Sequence, residues 1–416
     1  MQNRTDSGGA GPGRILLLAR QPIFDAALNV FAYELLHRSI DPDRATAPDG
    51  SAASSQLLLD AFGPTGITNI SEGKPVFINF TEHLVLHPPS PVPPQLVVEV
   101  LEDVPATPSV IAGLRALRER GFRIALDDFR HHAALAPMLE VADFVKLDVL
   151  AMSEPELRME VRKLRNYPVR LLAEKIESWE MHNHCVDLGF SYFQGFFLAH
   201  PQTFHGERPG VDEAAILSAI GALLRAQDHA PALASAIPCD PMTRLRLLNL
   251  ANGPDGDTQA VLHTPAEVIA RLGPRTAGRA CIAILAGITH KPRELLRLAL
   301  ARSRFCEQLG LLCGPVLAAR AFETGTLSLL DAFLDRPLPE LLHVLNSSAT
   351  PVGALLHLEG DTGALLSAAT AFETATWDAV PWERLAAIGI TKADAESAYL
   401  ESLHWVSGAL QALEPG

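Results

Sequence analysis

The stretch FRIALDDFRHHAAL, residues 122–135, begins as an apolar strand and then places two carboxylates, Asp127 and Asp128, side by side. Carboxylates at a strand end usually face water, so the pair alone favours a solvated strand end. Paired carboxylate oxygens can also bind Mg²⁺, Mn²⁺ or Ca²⁺. The rest of the chain decides between these two interpretations.

Short apolar runs of the same kind recur through the first half of the chain. Besides FRIALDD (122–128) they are RILLLAR (14–20), NVFAYELL (29–36), PVFINF (75–80), QLVVEVL (95–101), DFVKLDV (143–149), VRLLAEKI (169–176) and FSYFQGFF (190–197). Several are apolar on both faces, which is typical of strands covered by helices, and amphipathic stretches separate the later ones. Eight such units predict an α/β barrel of the TIM type. The first two runs are joined only by QPIFDAAL, which is too short for a helical crossover, so strands one and two should pair antiparallel.

After about residue 210 the apolar spacing becomes helical. AAILSAIGALLRAQ, PMTRLRLLNLAN and RELLRLALARSRFCEQLG all repeat at i, i+3 and i+4, which predicts an all-α domain. The expected organisation is a flexible tail over 1–13, a barrel over 14–202, a Pro/Gly-rich linker over 203–212 and a helical domain over 213–416.

Composition narrows the class of protein. The 416 residues are 48% hydrophobic and 20% charged, as in a globular chain of two or three domains. The net charge of −14 argues against binding a nucleic-acid backbone. No apolar run approaches the ~20 residues of a membrane span, and five cysteines without C-x-x-C spacing favour reduced thiols in the cytoplasm.

Specific polar residues occur near the carboxyl ends of the predicted strands from the second onward. They are Glu34, Asn79, Glu99, Asp127 with Asp128, Lys146 with Asp148, Glu174 with Glu177, and Gln194. In a barrel these ends meet at one face, where converging polar residues indicate a site. A set of oxygen ligands without cysteine favours Mg²⁺, Mn²⁺ or Ca²⁺ over Zn²⁺.

The alternation in ELLHR adds an anion contact to this face. Glu34, Leu36 and Arg38 share one side of a strand because side chains alternate. Glu34 can then bind a metal while the guanidinium of Arg38 reaches a phosphate. Two cations flanked by a lysine and an arginine describe a phosphodiester site.

The ordered motifs resemble those of the EAL domain family over residues 14–202. They are QPIFD, YELLHR, FINF, VVEVLE, ALDDF, FVKLD, LLAEKIE and FQGFFLAHP. That family hydrolyses the bacterial messenger cyclic di-GMP to the linear dinucleotide, on a modified TIM barrel with an antiparallel first strand. The helical half resembles an HDOD domain through CDPMTRLRLLNLANG, RSRFCEQLG and AFETGTLSLLDAFL. The whole chain is similar to bacterial EAL–HDOD signalling proteins.

The resemblance implies a role for each matching residue. The metal ligands would be Glu34, Asn79, Glu99 and Asp127 for a first ion, with Asp128 helping to bind a second one near Glu174. The catalytic set would be Lys146, which would orient the attacking water or balance developing charge, with Glu174 and Glu34. Substrate contacts would come from Arg38, Leu36, Gln194, Glu177 and Pro201. The cofactor would be Mg²⁺ or Mn²⁺, with Ca²⁺ as a non-productive occupant.

Some positions depart from the family pattern. Arg130 follows ALDDF where a glycine is usual, Lys175 stands where LLAEKIE usually has a glycine, and Leu101 replaces a hydroxyl residue. Two hypotheses therefore stay open: a metal-dependent cyclic di-GMP phosphodiesterase, and a non-catalytic receptor or adaptor. In the helical half Ser328 and Leu329 occupy the place of a His-Asp pair, so a platform for a protein partner is expected there instead of a second metal site. The oligomeric state is left open.

Two groups of histidines invite a metal interpretation that the sequence does not favour. His131 and His132 are expected to be exposed loop residues. The stretch MHNHC (181–185) falls in a predicted crossover helix away from the barrel mouth.

Overall fold

The structure is a computed structural model. It describes residues 15–40, 66–68, 70–89, 95–202, 213–253, 261–273, 275–288, 291–345 and 351–413, without the side chains of residues 15, 16 and 38–40. The predicted tail (1–13) and linker (203–212) lie outside these residues. The chain divides into two compact units, Met1–Gly195 and Phe196–Gly416.

The first unit is a closed barrel. Its strands in order are β1 (Ile15–Asp25), β2 (Val30–Ile40), β3 (Val76–Phe80), β4 (Leu96–Val100), β5 (Arg123–Leu126), β6 (Phe144–Asp148), β7 (Arg170–Ile176) and β8 (Tyr192–Gly195). β1 pairs antiparallel with both β2 and β8, and the other neighbours are parallel. The predicted barrel and its antiparallel first strand are confirmed.

An apolar layer fills the barrel, with one side chain from each strand. These residues are Ile23, Ala32, Phe77, Val97, Ala125, Phe144, Leu172 and Tyr192. Two positions further along β2–β8 come the polar residues Glu34, Asn79, Glu99, Asp127, Lys146, Glu174 and Gln194. β1 runs in the opposite direction, so its residue in the polar layer, Gln21, comes two positions before Ile23. Residues i and i+2 of a strand share a face, so a polar layer lies directly above the apolar one at the carboxyl ends of the parallel strands.

Helices follow most of the parallel strands of the barrel. They are Glu82–Leu86, Pro108–Glu119, Ala136–Leu139, Glu154–Leu164 and Trp179–Leu188. Local sequence sets their ends: the side chains of Thr107 and Ser178 accept hydrogen bonds from backbone N–H groups of the first turn, and Gly189 ends its helix with φ of 94°.

The second unit is helical, as predicted from the change of period. Its helices are Glu213–Ala226, Ala230–Ala236, Pro241–Asn252, Pro265–Leu272, Arg275–Leu285, Arg293–Cys313, Pro315–Leu327, Leu330–Leu334, Leu338–Leu345, Val352–His357, Gly360–Glu373, Trp382–Ala387 and Lys392–Leu413. In the described residues, no helix has both the length and the apolar character needed to cross a bilayer.

Buried ion pairs cross the core of the helical unit. Arg279 and Arg304 both bind Glu307, at 3.0 and 2.7 Å, and Arg302 binds Glu373 at 2.6 Å. Buried charges of this kind are tolerated because each is paired and hydrogen-bonded.

Candidate metal centre at the barrel mouth

The ammonium group of Lys146 lies at the centre of the polar layer. Its Nζ is 2.6 Å from Glu174 Oε1, 3.0 Å from Asp127 Oδ1 and 3.2 Å from Glu34 Oε2. Glu99 Oε1 is also in direct contact with it. Three acids on β2, β4 and β7, and a fourth directly after β5, therefore converge on one point inside the barrel.

Gln194 fixes the position of Glu34. Its amide donates a hydrogen bond of 2.6 Å to Glu34 Oε2 and another of 3.0 Å to Gln21 Oε1. Gln21 lies directly opposite Glu34 in the β1–β2 pairing. Gln21 on β1 and Gln194 on β8 therefore fix the position of Glu34, which the sequence predicts to be a metal ligand.

Carboxylate oxygens come close enough here to share an ion. One oxygen each from Glu34, Glu99 and Glu174 all lie within 4.8 Å of one another, and all three side chains are buried. Asn79 on β3 is the direct neighbour of Glu99 on β4. Within the described residues, no other group of three or more acidic, histidine or cysteine side chains has this geometry.

Burial and the neighbouring charges shift the pKa values of the acids in this cluster in different directions. Burial, reinforced by the charge of Glu34 and opposed by Lys146, raises the pKa of Glu99 well above its usual range. Burial also raises the pKa of Glu174 to about 8, with Lys146 opposing the shift. For Asp127 burial is outweighed by Lys146, and the pKa is lowered. The pKa of Lys146 is raised well above its usual range, because its acidic neighbours outweigh the effect of burial.

These residues fit a hard divalent cation. The donors are carboxylate and amide oxygens, which Mg²⁺, Mn²⁺ and Ca²⁺ prefer. Oε2 of Glu99 is buried and has no hydrogen-bond partner among the described residues, so this oxygen has an unused ligand position. A divalent cation at these oxygens would favour the ionised form of Glu99 and Glu174, because a nearby positive charge lowers the pKa of a carboxyl group.

A second, smaller ionic group lies beside this cluster. Lys175 Nζ is 2.5 Å from Asp148 Oδ2 and 3.8 Å from Asp128 Oδ1. The side chains of Lys175 and Asp128 are more exposed than those of the cluster around Lys146, whereas Asp148 is as buried as Asp127. Asp128 itself adopts a positive φ of 40°, a conformation that aspartate tolerates better than most residues.

The segment after Asp128 is held by contacts of its own. The Arg130 guanidinium donates a hydrogen bond of 2.6 Å to the Ala151 carbonyl, and the His131 backbone N–H donates to Glu160. A cavity of about 270 Å³ lies between this segment and the ends of β4 and β5. Its lining includes Leu101, Asp127, Asp128, Phe129 and Arg130.

The other expected substrate contacts are Leu36, Glu177, Pro201 and Arg38. Leu36 is half-buried on β2, and Glu177 is exposed just after β7. Pro201 falls within the second unit. The side chain of Arg38 lies outside the described residues.

The histidine-rich stretches provide no ligand group among the described residues. His182 packs its ring against Phe193, with ring centroids 4.6 Å apart, and Cys185 is buried. His132 is exposed and His131 is half-buried.

Sequence reasoning missed two contacts at the mouth. It did not assign a role to Gln21, although the QPIFD motif and an antiparallel pairing place it opposite Glu34. It also treated Lys175 only as a replaced glycine, because nothing local shows that the side chain would reach across to β6.

The helical unit has no comparable centre in its described residues. Ser328 accepts a hydrogen bond of 2.9 Å from Arg302 and Leu329 is buried. Neither supplies the imidazole or carboxylate that a dinuclear metal site needs.

Comparison with known proteins matches part of the barrel to one family model. Residues 66–201 match the family model described as the EAL domain. The chain is 28% identical over 411 residues to YuxH, an uncharacterized protein of Bacillus subtilis, covering 95% of this chain and 99% of the relative. It is 27% identical over 398 residues to the cyclic di-GMP phosphodiesterase CdgJ of Vibrio cholerae, covering 93% of this chain and 91% of that protein.

A solved structure with an EAL domain also aligns. The YkuI protein of Bacillus subtilis, in complex with substrate c-di-GMP and calcium, matches at 19% identity over 48% of this chain and 59% of that chain, with a TM-score of 0.37.

Proposed function

We propose that the barrel unit is a metal-dependent phosphodiesterase that binds cyclic di-GMP at its mouth and hydrolyses it to the linear dinucleotide. The observation that carries the proposal is the convergence of Glu34, Glu99, Asp127 and Glu174 on Lys146. Such a group of buried acids costs stability in a metal-free protein, and it supplies the oxygen ligands that Mg²⁺ or Mn²⁺ requires. We also propose that the protein acts in the bacterial cytoplasm.

The reaction requires a nucleophile, positive charge at the phosphate and a leaving oxygen. A water oxygen bonds to one phosphorus atom, the bond from that phosphorus to a ribose oxygen breaks, and one hydrogen of the water ends on the departing oxygen. When bound, the divalent cation supplies positive charge at the phosphate and lowers the pKa of a water ligand. Lys146 adds a fixed positive charge beside the same acids, and Gln194 orients Glu34 through its hydrogen bond.

The remaining assignments follow from the motifs. Asn79 completes the first ligand set as the neighbour of Glu99. Arg38, Leu36, Glu177 and Pro201 are proposed as substrate contacts. The relative CdgJ is a cyclic di-GMP phosphodiesterase, and its alignment extends through both units of this chain, which supports cyclic di-GMP as the ligand.

The direct test is turnover. We expect purified full-length protein with Mn²⁺ or Mg²⁺ to convert cyclic di-GMP to the linear dinucleotide, which anion-exchange chromatography separates. Glu34→Ala should reduce the rate by about 100-fold or more, because it removes a proposed metal ligand that Lys146 and Gln194 hold in position. Glu119→Ala, at an exposed glutamate on a barrel helix, is the matched control and should retain full activity.

A second candidate is a non-catalytic receptor of cyclic di-GMP. The observation that favours it is the segment after Asp128, where Arg130 and His131 are held by Ala151 and Glu160. If no linear product forms with either metal, calorimetry with cyclic di-GMP decides between this candidate and no binding at all. Binding without turnover supports the receptor, and no heat of binding overturns both candidates.

We infer that the helical unit is an HDOD-like module that couples the barrel to a protein partner. Its ion pairs between Arg279, Arg304 and Glu307 and between Arg302 and Glu373 favour a structural role over chemistry. Pull-down with a Glu34→Ala chain tests this separately from turnover: a partner retained by that variant supports the inference.

A further inference from the structure

Lys175 occupies an unusual position in the wall of the barrel. It has φ of +58°, in the region that favours glycine. The pairing of β7 with β8 shifts register between Ala173 and Ile176, so the strand bulges at this point. A bulge with one residue in the left-handed region commonly uses glycine there. The chain accepts strain at Lys175 and gains a cation at the mouth.

The bulge brings the Lys175 side chain to the acids of two other strands. Its Nζ is 2.5 Å from Asp148, at the end of β6, and 3.8 Å from Asp128, just beyond β5. Burial alone would lower the pKa of Lys175, but the hydrogen bond to Asp148 and the charges of Asp128 and Asp148 outweigh it and raise that pKa. In turn the pKa of Asp148 is lowered, since hydrogen bonds from Lys175 and from backbone N–H groups outweigh burial.

The two groups at the mouth differ in charge balance. Four carboxylates face the single ammonium of Lys146, whereas two carboxylates face the single ammonium of Lys175. The first group keeps a strong attraction for a divalent ion. The net charge of the group around Lys175 is closer to zero. The ammonium of Lys175 is covalently attached to the chain, so a free divalent ion must compete with it at a high effective concentration.

We propose that the ammonium of Lys175 serves as a fixed cation on the Asp128 side of the mouth, so that the barrel binds one divalent ion where the family resemblance implies two. This rests on the proposed function only through the metal at Glu34, Glu99 and Asp127. It specifies that Lys175, hydrogen-bonded to Asp148 and 3.8 Å from Asp128 Oδ1, supplies the positive charge beside Asp128 and thereby sets the number of metal ions.

The test counts ions directly. Full-length protein is titrated with Mn²⁺, and free Mn²⁺ is measured by electron paramagnetic resonance, without nucleotide. We expect about one ion per wild-type chain and about two per Lys175→Gly chain. Lys175→Arg is the matched control, because it keeps the positive charge, and it should bind one ion. Glycine tolerates the backbone conformation at this position, so Lys175→Gly should fold. Asparagine also tolerates a positive φ, so Lys175→Asn is a second variant that removes the charge, and it should also bind about two ions.

The outcomes separate this inference from the proposed function. Two ions on the wild-type chain, or one ion on both charge-removing variants, would overturn the role of Lys175 while leaving a metal-dependent barrel intact. No ion on the wild-type chain would overturn the proposed metal function and the single-ion inference together.

Discussion

Lys146 is the residue around which the barrel mouth is organised. Its position two residues beyond Phe144 places it inside the barrel, and four acids neutralise its charge there. The acids in turn depend on Lys146, since removing one partner of a buried ionic group leaves the others uncompensated. The interactions of these side chains are therefore mainly electrostatic.

Replacing this lysine tests that balance. Lys146→Met should lower the free energy of unfolding by about 3–5 kcal/mol in the absence of metal, because buried acids lose their counter-charge. Urea unfolding with and without Mn²⁺ measures the effect. Mn²⁺ should stabilise Lys146→Met more than wild type, since the ion replaces the missing charge. Equal stabilisation of both chains would show that the ion and Lys146 do not serve the same acids.

At the scale of the strand, the contact between β7 and β8 controls the geometry of the mouth. Gly195 pairs with Ile176, the residue after Lys175. It has φ of +153°, and a Cβ at this position would lie 2.1 Å from the Ile176 carbonyl oxygen. The prediction of strands from apolar runs placed β7 and β8 correctly to within about two residues at either end. It could not place the bulge, because the usual signal, a glycine, is replaced by Lys175.

Two glycine substitutions distinguish a collision between a new Cβ and the backbone of a neighbouring strand from the strain of a positive φ. Gly195→Ala should lower the free energy of unfolding by about 3 kcal/mol or more, because the new Cβ collides with backbone. Gly121→Ala is the control. Gly121 also has a positive φ, of +92°, but a Cβ added there would meet no described atom within 4 Å. Its substitution should cost only about 1–2 kcal/mol. Similar losses for both variants, measured by urea unfolding, would contradict the close approach.

At the scale of the whole molecule, two units with different periods of apolar residues share one chain. Short apolar runs in the first half and helical spacing in the second predicted this division. Sequence did not reveal how the helical unit balances its buried charges. Partners such as Arg302 and Glu373 are 71 positions apart, and only the packing of the helices brings them together.

Buried acids make the stability of the chain depend on pH. Burial, opposed by Arg320 and reinforced by Asp228, raises the pKa of Glu323 to about 8. Between its ordinary value and pH 8 the folded state binds more protons than the unfolded state, so this residue makes the free energy of unfolding fall as pH rises. Glu323→Gln should remove that contribution. Its stability relative to wild type should therefore rise between about pH 5 and pH 8, by an amount on the order of a few kcal/mol.

Urea unfolding followed by tryptophan fluorescence measures this difference, since three of the four tryptophans, Trp377, Trp382 and Trp405, lie in the helical unit. The exposed Glu383→Gln is the matched control and should follow wild type at every pH. A constant difference between Glu323→Gln and wild type across this range would contradict the assignment.

The sequence by itself determined which residues of each strand face the barrel interior, because alternation is a local property of the backbone. It also determined the antiparallel first strand, because a short connection cannot carry a helix. Only the tertiary structure decided how those residues meet: that Lys146 lies among four acids, that Gln21 supports Gln194, and that Lys175 reaches Asp148 and Asp128. These contacts join strands distant in sequence, and their distances depend on the closure of the barrel and on a bulge with no local signal.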